Sequence, residues 1–379
     1  MLANVVVIRE DAAMDVDADG LLDGLEGEAR EARRKLVERL HEDGFREEEL
    51  IRAVQENRLA LLPVQRVLGG RYTAAELDER SGLPAGTMAR IRRQLGLPEP
   101  GAGDRVYGDE DVEAAKAMKL FLDAGFGDER VDEITRVLGE GMGRLAATIA
   151  ASFVETFLEA GESEDEVALR FAELADQLAP AFAPVLVAGF EAHLRDSVQR
   201  GALGLAELEA GDIAGTQDMA VCFADLVGFT RLGGQVEVGE LGTVAGRLAT
   251  LATSLTQAPV RLVKTIGDAA MFVSPEPSPL VAVALRLVDA FAEEELPSLR
   301  AGIAFGPALV RAGDYFGNSV NLASRVTGVA RPGSVLCTRE VRDAAQDDFY
   351  WSAAGRYKLK GVSGPTPLYR ARPADADER

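Results

Sequence analysis

Met219-Ala-Val-Cys-Phe-Ala-Asp225-Leu-Val-Gly-Phe-Thr230 sets an apolar run of strand length against a carboxylate and a glycine turn. Such a run, bounded by a turn signal, predicts a buried strand over Met219–Ala224 with Asp225 where it ends. Downstream, Lys264-Thr-Ile-Gly-Asp268 places Gly267 and Asp268 at the turn of a hairpin with strands Arg261–Ile266 and Ala269–Ser274. Leu299–Phe305 and Ser334–Thr338 also read as strands, and Val238–Gln257, Pro279–Leu296, Val320–Val329 and Arg339–Gln346 as helices. The order strand-helix-strand-strand-helix-strand, with elements appended, predicts an α+β unit built on a split βαβ, ferredoxin-like core.

The first half has another pattern. Glu31–His41, Glu47–Asn57, Asp109–Ala124, Glu129–Leu138, Gly141–Ala160, Glu164–Ala179 and Val185–Gln199 are rich in helix formers and predict an all-helical unit. Gly201–Asp218 is glycine-rich and lacks a long apolar face. The expected division is therefore a helical domain over 1–200, a linker over 201–217 and the α+β domain over 218–373.

Charge follows the same division. The 379 residues include 62 acidic and 41 basic side chains, for a formal charge of −21. Residues 1–215 hold 44 acidic and 24 basic groups, a net of −20; from 216 onward there are 18 and 17, a net of −1. This excess argues against nonspecific binding to nucleic acid or to an anionic membrane, which both require a positive surface. The two cysteines, Cys222 and Cys337, cannot build a disulfide framework and suit a reducing cytosol. Val5–Ile8 is too short for a signal peptide, and the longest uncharged stretch, Gln177–Phe190, spans 14 residues, short of the ~18 a membrane helix needs. The expectation is a soluble, cytoplasmic protein without membrane insertion.

Asp225 and Asp268 fall on adjacent strand ends, the minimum for paired Mg²⁺ or Mn²⁺ held by hard oxygen ligands with substrate phosphates completing the shell. Taken singly, each reads as an ordinary turn residue. A third cluster adds weight. Gly313-Asp314-Tyr-Phe-Gly317-Asn318-Ser-Val-Asn321-Leu-Ala-Ser-Arg325 puts Asn321 and Arg325 four apart at the start of a helix, on one face. Arg325 presents a planar fork to phosphate oxygens, and Asn321 can orient a hydroxyl beside it.

Together these segments resemble the class III nucleotidyl cyclases, from about Met219 to Arg370. The resemblance implies that Asp225 and Asp268 bind two divalent cations per site, with the Leu226 carbonyl as an added ligand. It implies that Lys264 and Asp314 read adenine, Asn321 orients the ribose and Arg325 stabilises the pentavalent phosphorus. Lys360, in Tyr-Lys-Leu-Lys-Gly, is its candidate for the triphosphate tail. The implied reaction is in-line attack of the ATP 3′-hydroxyl on the α-phosphorus, giving cyclic AMP and pyrophosphate by positioning and charge stabilisation. Both histidines, His41 and His193, lie outside this half, so no histidine serves there as a general base. A lysine donor and a carboxylate acceptor match adenine, whereas guanine would leave both unpaired. One chain carries a single copy of each residue set, and in this family the site forms between two such domains. A head-to-tail homodimer with two sites is thus implied. The segment Gly306–Asp314 is short where many relatives carry a longer dimerisation arm.

The helical half resembles the regulatory domain of soluble, pH-responsive mycobacterial adenylyl cyclases. Three signals in it compete for meaning. Asp15-Val-Asp17-Ala-Asp19-Gly20, with Asp23 and Glu26, fits the spacing of a calcium-binding EF-hand loop but lacks an entering helix and a paired hand. An acidic tail that N-caps a helix from Glu26 is the preferred reading. Tyr72–Pro84 followed by Met88-Ala-Arg-Ile-Arg-Arg predicts a helix-turn-helix with a basic second helix, and the acidic surroundings favour protein contacts over DNA. His193, or the acid clusters Glu47–Glu49 and Glu162–Glu166, could take up protons as a regulatory signal. The rival effector is an apolar molecule among Phe153, Phe157, Phe171, Phe182 and Phe190, which read first as ordinary core. Two further classes stand against the enzyme: a nucleotide sensor without turnover, and a DNA-binding regulator fused to a cyclase.

Overall fold

A computed structural model describes residues 20–67, 69–157, 163–208, 216–229, 238–294 and 296–374. It divides into two compact units, Met1–Ser197 and Val198–Arg379.

The first unit is helical among its described residues: α1 Gly27–Glu42, α2 Glu47–Gln55, α3 Leu62–Val67, α4 Ala74–Ser81, α5 Thr87–Gln94, α6 Asp109–Asp123 and α7 Asp128–Phe157. The last helix, α8, spans Glu164–Leu208 and runs past the division between the units. Leu21, Leu22, Leu36, Leu40, Leu50 and Leu59 form one buried cluster. A second cluster joins α4, α5 and α6 through Leu77, Met88, Ile91, Tyr107 and Ala115. Between α4 and α5 the turn is held by Asp78. Its buried carboxylate accepts from the backbone N–H of Gly86 (2.7 Å) and of Met88 (3.1 Å), supplying the N-terminus of α5 from the preceding helix. A bridge between Tyr72 and Tyr107 closes the module. The expected helix-turn-helix is present.

Two expectations for this half are corrected. Glu129–Leu138 and Gly141–Ala160 are one continuous helix through Phe157, because Gly139 is a packing glycine: a Cβ there would collide with the Leu95 backbone at the end of α5. Likewise Pro180 and Pro184 do not separate two helices. They lie inside α8, which bends by 45° between Asp165–Leu178 and Pro180–Gln199. By length and hydropathy α7 reaches the range of a membrane span, yet its first half is charged and packs on α5. The EF-hand-like residues Asp15–Asp19 lie outside the described residues. Glu26 sits at the N-cap of α1 but makes no side-chain capping bond.

In the second unit the strands are β1 Thr216–Leu226, β2 Arg261–Ile266, β3 Ala269–Ser274, β4 Leu299–Arg311, β5 Asp314–Phe316, β6 Ser334–Cys337, β7 Tyr350–Lys358 and β8 Pro365–Arg372. The helices are α9 Val238–Leu255, α10 Pro277–Glu293, α11 Asn318–Val329 and α12 Arg339–Ala344. The sheet order is β2-β3-β1-β4-β6-β8-β7, with β5 paired to β4. The four core strands run β2-β3-β1-β4, with β1 antiparallel to both β3 and β4, as the split βαβ pattern requires. Alternation along β1 separates two layers. Ala220, Cys222, Ala224 and Leu226 pack with Leu248, Leu280, Leu287 and Phe291 of α9 and α10. Met219 and Val221 face α11 with Met271, Val273, Ala304 and Ala323. The α11 layer approaches closely because Gly302 on β4 has no Cβ to strike the Thr327 backbone nitrogen. The segment 201–217, expected as a linker, is helical to Leu208 and enters β1 at Thr216.

Candidate active site

Asp225 closes the α11 face of β1, opposite Ala269 of β3 and Arg300 of β4. The backbone N–H of Leu226 donates to the Asp268 carbonyl (3.0 Å), tying the end of β1 to the β2–β3 turn. That bond brings the two predicted metal acids to one rim of the sheet. Arg300 then acts on Asp225: its Nη2 and Nε both donate to Oδ2, at 2.6 and 3.0 Å. Oδ1 of Asp225 and the carboxylate of Asp268 accept no hydrogen bond among the described residues. Arg300 Nη1 also reaches the Gly328 carbonyl in the last turn of α11, at 3.3 Å. No group of three or more metal-ligating side chains occurs among the described residues. The two carboxylates and the Leu226 carbonyl are hard oxygen groups of the kind that could hold a divalent cation.

A second group lies along the same layer. At Gly306, with φ of +152°, β4 begins the arm that continues to Arg311 and turns into β5. Tyr315 on β5 is buried with Met271, Val273 and Ala323, and its hydroxyl accepts from Arg261 Nη1 (2.9 Å). This anchoring sets Asp314 against β2, where its Oδ2 accepts from Lys264 Nζ. Its other oxygen accepts from the Tyr315 backbone N–H at 2.9 Å. Gly317, with φ of +149°, leads into α11; a Cβ there would sit 2.8 Å from the Pro307 carbonyl oxygen. One turn on, Asn321 is exposed, and Arg325 is half-buried without an ion pair among the described residues. The hydroxyl of Thr327, within 3.1 Å of the Phe223 carbonyl, fixes the far end of the helix to β1.

The structure thus assembles Asp225 with Asp268, and Lys264 with Asp314, while Asn321 and Arg325 share one helix face. Lys360 stands apart, exposed in the turn after β7. His193 is exposed on α8 among Glu191, Arg195 and Asp196. Cys222 and Cys337 are fully buried, and burial pushes both thiols well up, which leaves them unreactive core. Arg300 was not among the sequence candidates. Its signal is a lone charge in the otherwise apolar Leu299–Phe305, and its partner appears only once the β1–β4 register is known.

In the helical unit, Arg90 of α5 pairs with Asp128 (2.7 Å) and Asp132 (2.8 Å) of α7. Arg92 lies over the Tyr107 ring and Arg93 pairs with Glu99. The basic residues of the second helix of the helix-turn-helix are all engaged within the unit. Of the five phenylalanines, Phe153 and Phe157 lie 5.9 Å apart, Phe171 and Phe182 are half-buried and Phe190 is 67 % exposed. Among the described residues they do not form a closed core.

Residues 14–198 match the family described as adenylate cyclase regulatory domain, and residues 212–370 match that described as adenylate and guanylate cyclase catalytic domain. Over 376 residues the chain is 40 % identical to a protein named pH-sensitive adenylate cyclase from Mycobacterium tuberculosis (strain CDC 1551 / Oshkosh), covering 96 % of this chain and 94 % of that one. The chain belongs to the class III adenylyl cyclases with an N-terminal regulatory domain. An adenylate cyclase from Streptomyces coelicolor is 34 % identical to this cyclase over 291 residues, 74 % of each chain. The solved structure of an adenylyl cyclase from P. aeruginosa matches 43 % of the cyclase and 97 % of its own chain, with 21 % identity and a TM-score of 0.38.

Proposed function

We propose that this cyclase forms cyclic AMP and pyrophosphate in two equivalent sites of a cytoplasmic homodimer, with 218–373 catalytic and 1–200 regulatory. Asp225, Asp268 and the Leu226 carbonyl hold two divalent cations, Mg²⁺ or Mn²⁺. Bound cations supply a lowered pKa for the attacking 3′-hydroxyl and neutralise charge on the phosphates. Arg300 keeps Asp225 in place through Oδ2 and leaves Oδ1 for a cation. Lys264 donates to adenine N1 and Asp314 accepts from the N6 amine. Asn321 positions the ribose, Arg325 presents its fork to the α-phosphate, and Lys360 meets the triphosphate tail.

The observation that carries the ATP reading is the Lys264–Asp314 pair, a donor and an acceptor already side by side. Cyclic AMP and pyrophosphate formation, measured with Mn²⁺ and either ATP or GTP, tests it. Turnover of ATP that stops on chelation is expected. Nucleotide binding without pyrophosphate release would assign the chain to a sensor instead.

Control by pH is the reading supported by the name of the Mycobacterium tuberculosis relative. The acid clusters fit it poorly, because Glu49 and Glu166 are held below the ordinary carboxylate range, Glu49 chiefly by the Arg46 backbone N–H and Glu166 by the Ser163 hydroxyl and N–H. His193 is the better candidate, and an apolar effector at the unenclosed phenylalanines is the rival. If His193 is the input, His193→Gln weakens the dependence of the cyclase rate on pH. The committed Arg90, Arg92 and Arg93 support protein contact rather than DNA binding for the helix-turn-helix module.

A further inference from the structure

The α11 face of the sheet carries charge beyond the residues assigned above. Strand registers align Asp225 of β1 with Arg300 of β4, and Arg300 with Ser334 of β6. Val335 pairs with Ala371 of β8, so Ser334 and Arg372 continue the same row. One step along, Leu336 pairs with Arg370. Ala371 points into the opposite layer with Val335 and Cys337, whereas Leu368 and Leu336 belong to the α11 layer. Alternation therefore puts Arg370 and Arg372 on the α11 face with Asp225 and Arg300. Arg331 joins them from the loop after α11. That loop is fixed by Ser334 Oγ donating to the Arg331 carbonyl (2.6 Å) and by the Gly333 N–H donating to the Leu299 carbonyl (2.8 Å).

None of these three arginines has a carboxylate partner among the described residues. Burial, with the neighbouring guanidinium groups of Arg372 and Arg331, holds Arg370 below the usual guanidinium range. Like charges gathered on a half-buried surface are unfavourable unless an anion joins them. Between 299 and 374 the chain holds 11 basic and 5 acidic residues, so the near-neutral catalytic half has a basic C-terminal segment. Tyr350, opposite Arg372 on β7, adds a phenol at its rim.

We propose that Arg331, Arg370 and Arg372 form a binding site for a phosphoric anhydride, a di- or triphosphate anion, on the same face of the sheet as Asp225 and separated from it by β4 and β6. Two forks spaced i, i+2 on one strand and a third from a fixed loop can each take a pair of phosphate oxygens. The proposal rests on the cyclase reading insofar as that reaction releases pyrophosphate at the Asp225 end of the row. Free inorganic polyphosphate has the same chemistry.

The test is calorimetric titration of the full chain with sodium pyrophosphate, in chelating buffer and without nucleotide. Saturable binding is expected, weakened about tenfold in Arg370→Gln/Arg372→Gln and about threefold in Arg331→Gln, whose exposed loop position spares the sheet. Absence of binding, or equal affinity in all three proteins, overturns the site. A lower melting temperature with unchanged affinity also overturns it, since the arginines would then merely complement the C-terminus of α11. Inhibition of cyclic AMP formation by pyrophosphate, shifted in parallel in Arg331→Gln, identifies the released product as the occupant. Tighter binding of tripolyphosphate with unshifted inhibition identifies polyphosphate from solution, and either result upholds the site. Asp268→Asn separates the two readings: it stops turnover if the cyclase reading holds, and it leaves binding in chelating buffer intact if the arginine site holds.

Discussion

Lys264 and Asp314 satisfy each other before any base arrives. A purine entering between them must offer at least the hydrogen bonds it interrupts, which adenine does and guanine does not. This makes the pair a selectivity filter whose cost for the wrong base is two unpaired, half-buried groups. Lys264→Glu combined with Asp314→Cys should move the ratio of kcat/KM for ATP over GTP toward GTP by at least about tenfold, read from initial rates with each nucleotide. An unchanged ratio would remove these residues from base recognition. Either single change gives less, because each leaves one member of the original pair without its partner. Both residues were legible in the sequence through the motifs around them. Their contact was not, since 50 positions separate them and the arm between β4 and β5 joins them only after Tyr315 is buried. Arg300 was hidden for the same reason: its effect depends on the non-local register between β1 and β4.

Among elements, α11 shows how the sheet sets the geometry of side chains several positions from the anchoring contacts. Asn321 and Arg325 are placed by contacts further along the helix, at Thr327 against Gly302 and Phe223. Gly302→Ala should lower stability to urea by about 1–3 kcal/mol and reduce the cyclase rate, because the helix must move away from β4. Retained activity in that variant would show that α11 tolerates displacement. The core strands were readable because each is a short apolar run between turn signals. The long helices depart from the sequence reading at Gly139 and Pro180: Gly139 allows close contact with α5, and Pro180 bends a helix that continues. Helix starts in the acidic half follow a common device. Glu49, Glu76 and Glu166 each accept from a backbone N–H three residues earlier, and each carboxyl is held below its ordinary value. A depressed folded-state pKa contributes stability that is present above the unfolded value of about 4.3 and lost as pH falls through the folded value. Glu76→Ala should therefore lower the melting temperature of the full chain at pH 7, and the difference from the parent should shrink below about pH 4. A difference that stays constant down to pH 3 would assign the loss to packing instead of to the ionised cap.

At the scale of the molecule, charge and chemistry divide in different places. The −20 of residues 1–215 belongs to the half without the metal acids, and the −1 of the remainder conceals a basic segment, 299–374, with 11 basic and 5 acidic residues. A polyanionic nucleotide thus meets a catalytic half that does not repel it, while the acidic half retains charge on which control can act. The catalytic half itself contains two sets of groups: Asp225 and Asp268 at one rim, and Lys264 of β2, Asp314 of β5, Asn321 and Arg325 of α11. If each site draws one set from each protomer, two inactive chains can repair one another. A homodimer of Asp225→Asn chains lacks the metal acid in both sites, and a homodimer of Arg325→Ala chains lacks the phosphate fork in both. Their heterodimer has one site with both defects and one with neither. Random reassociation makes half the dimers mixed, so equal mixing should restore about a quarter of the parent rate per chain. Rate against mixing ratio should peak at equal proportions. No recovery, in a mixture shown by differential tagging to contain heterodimers, would mean that each protomer completes its own site, and the two sets would then have to meet within a single chain.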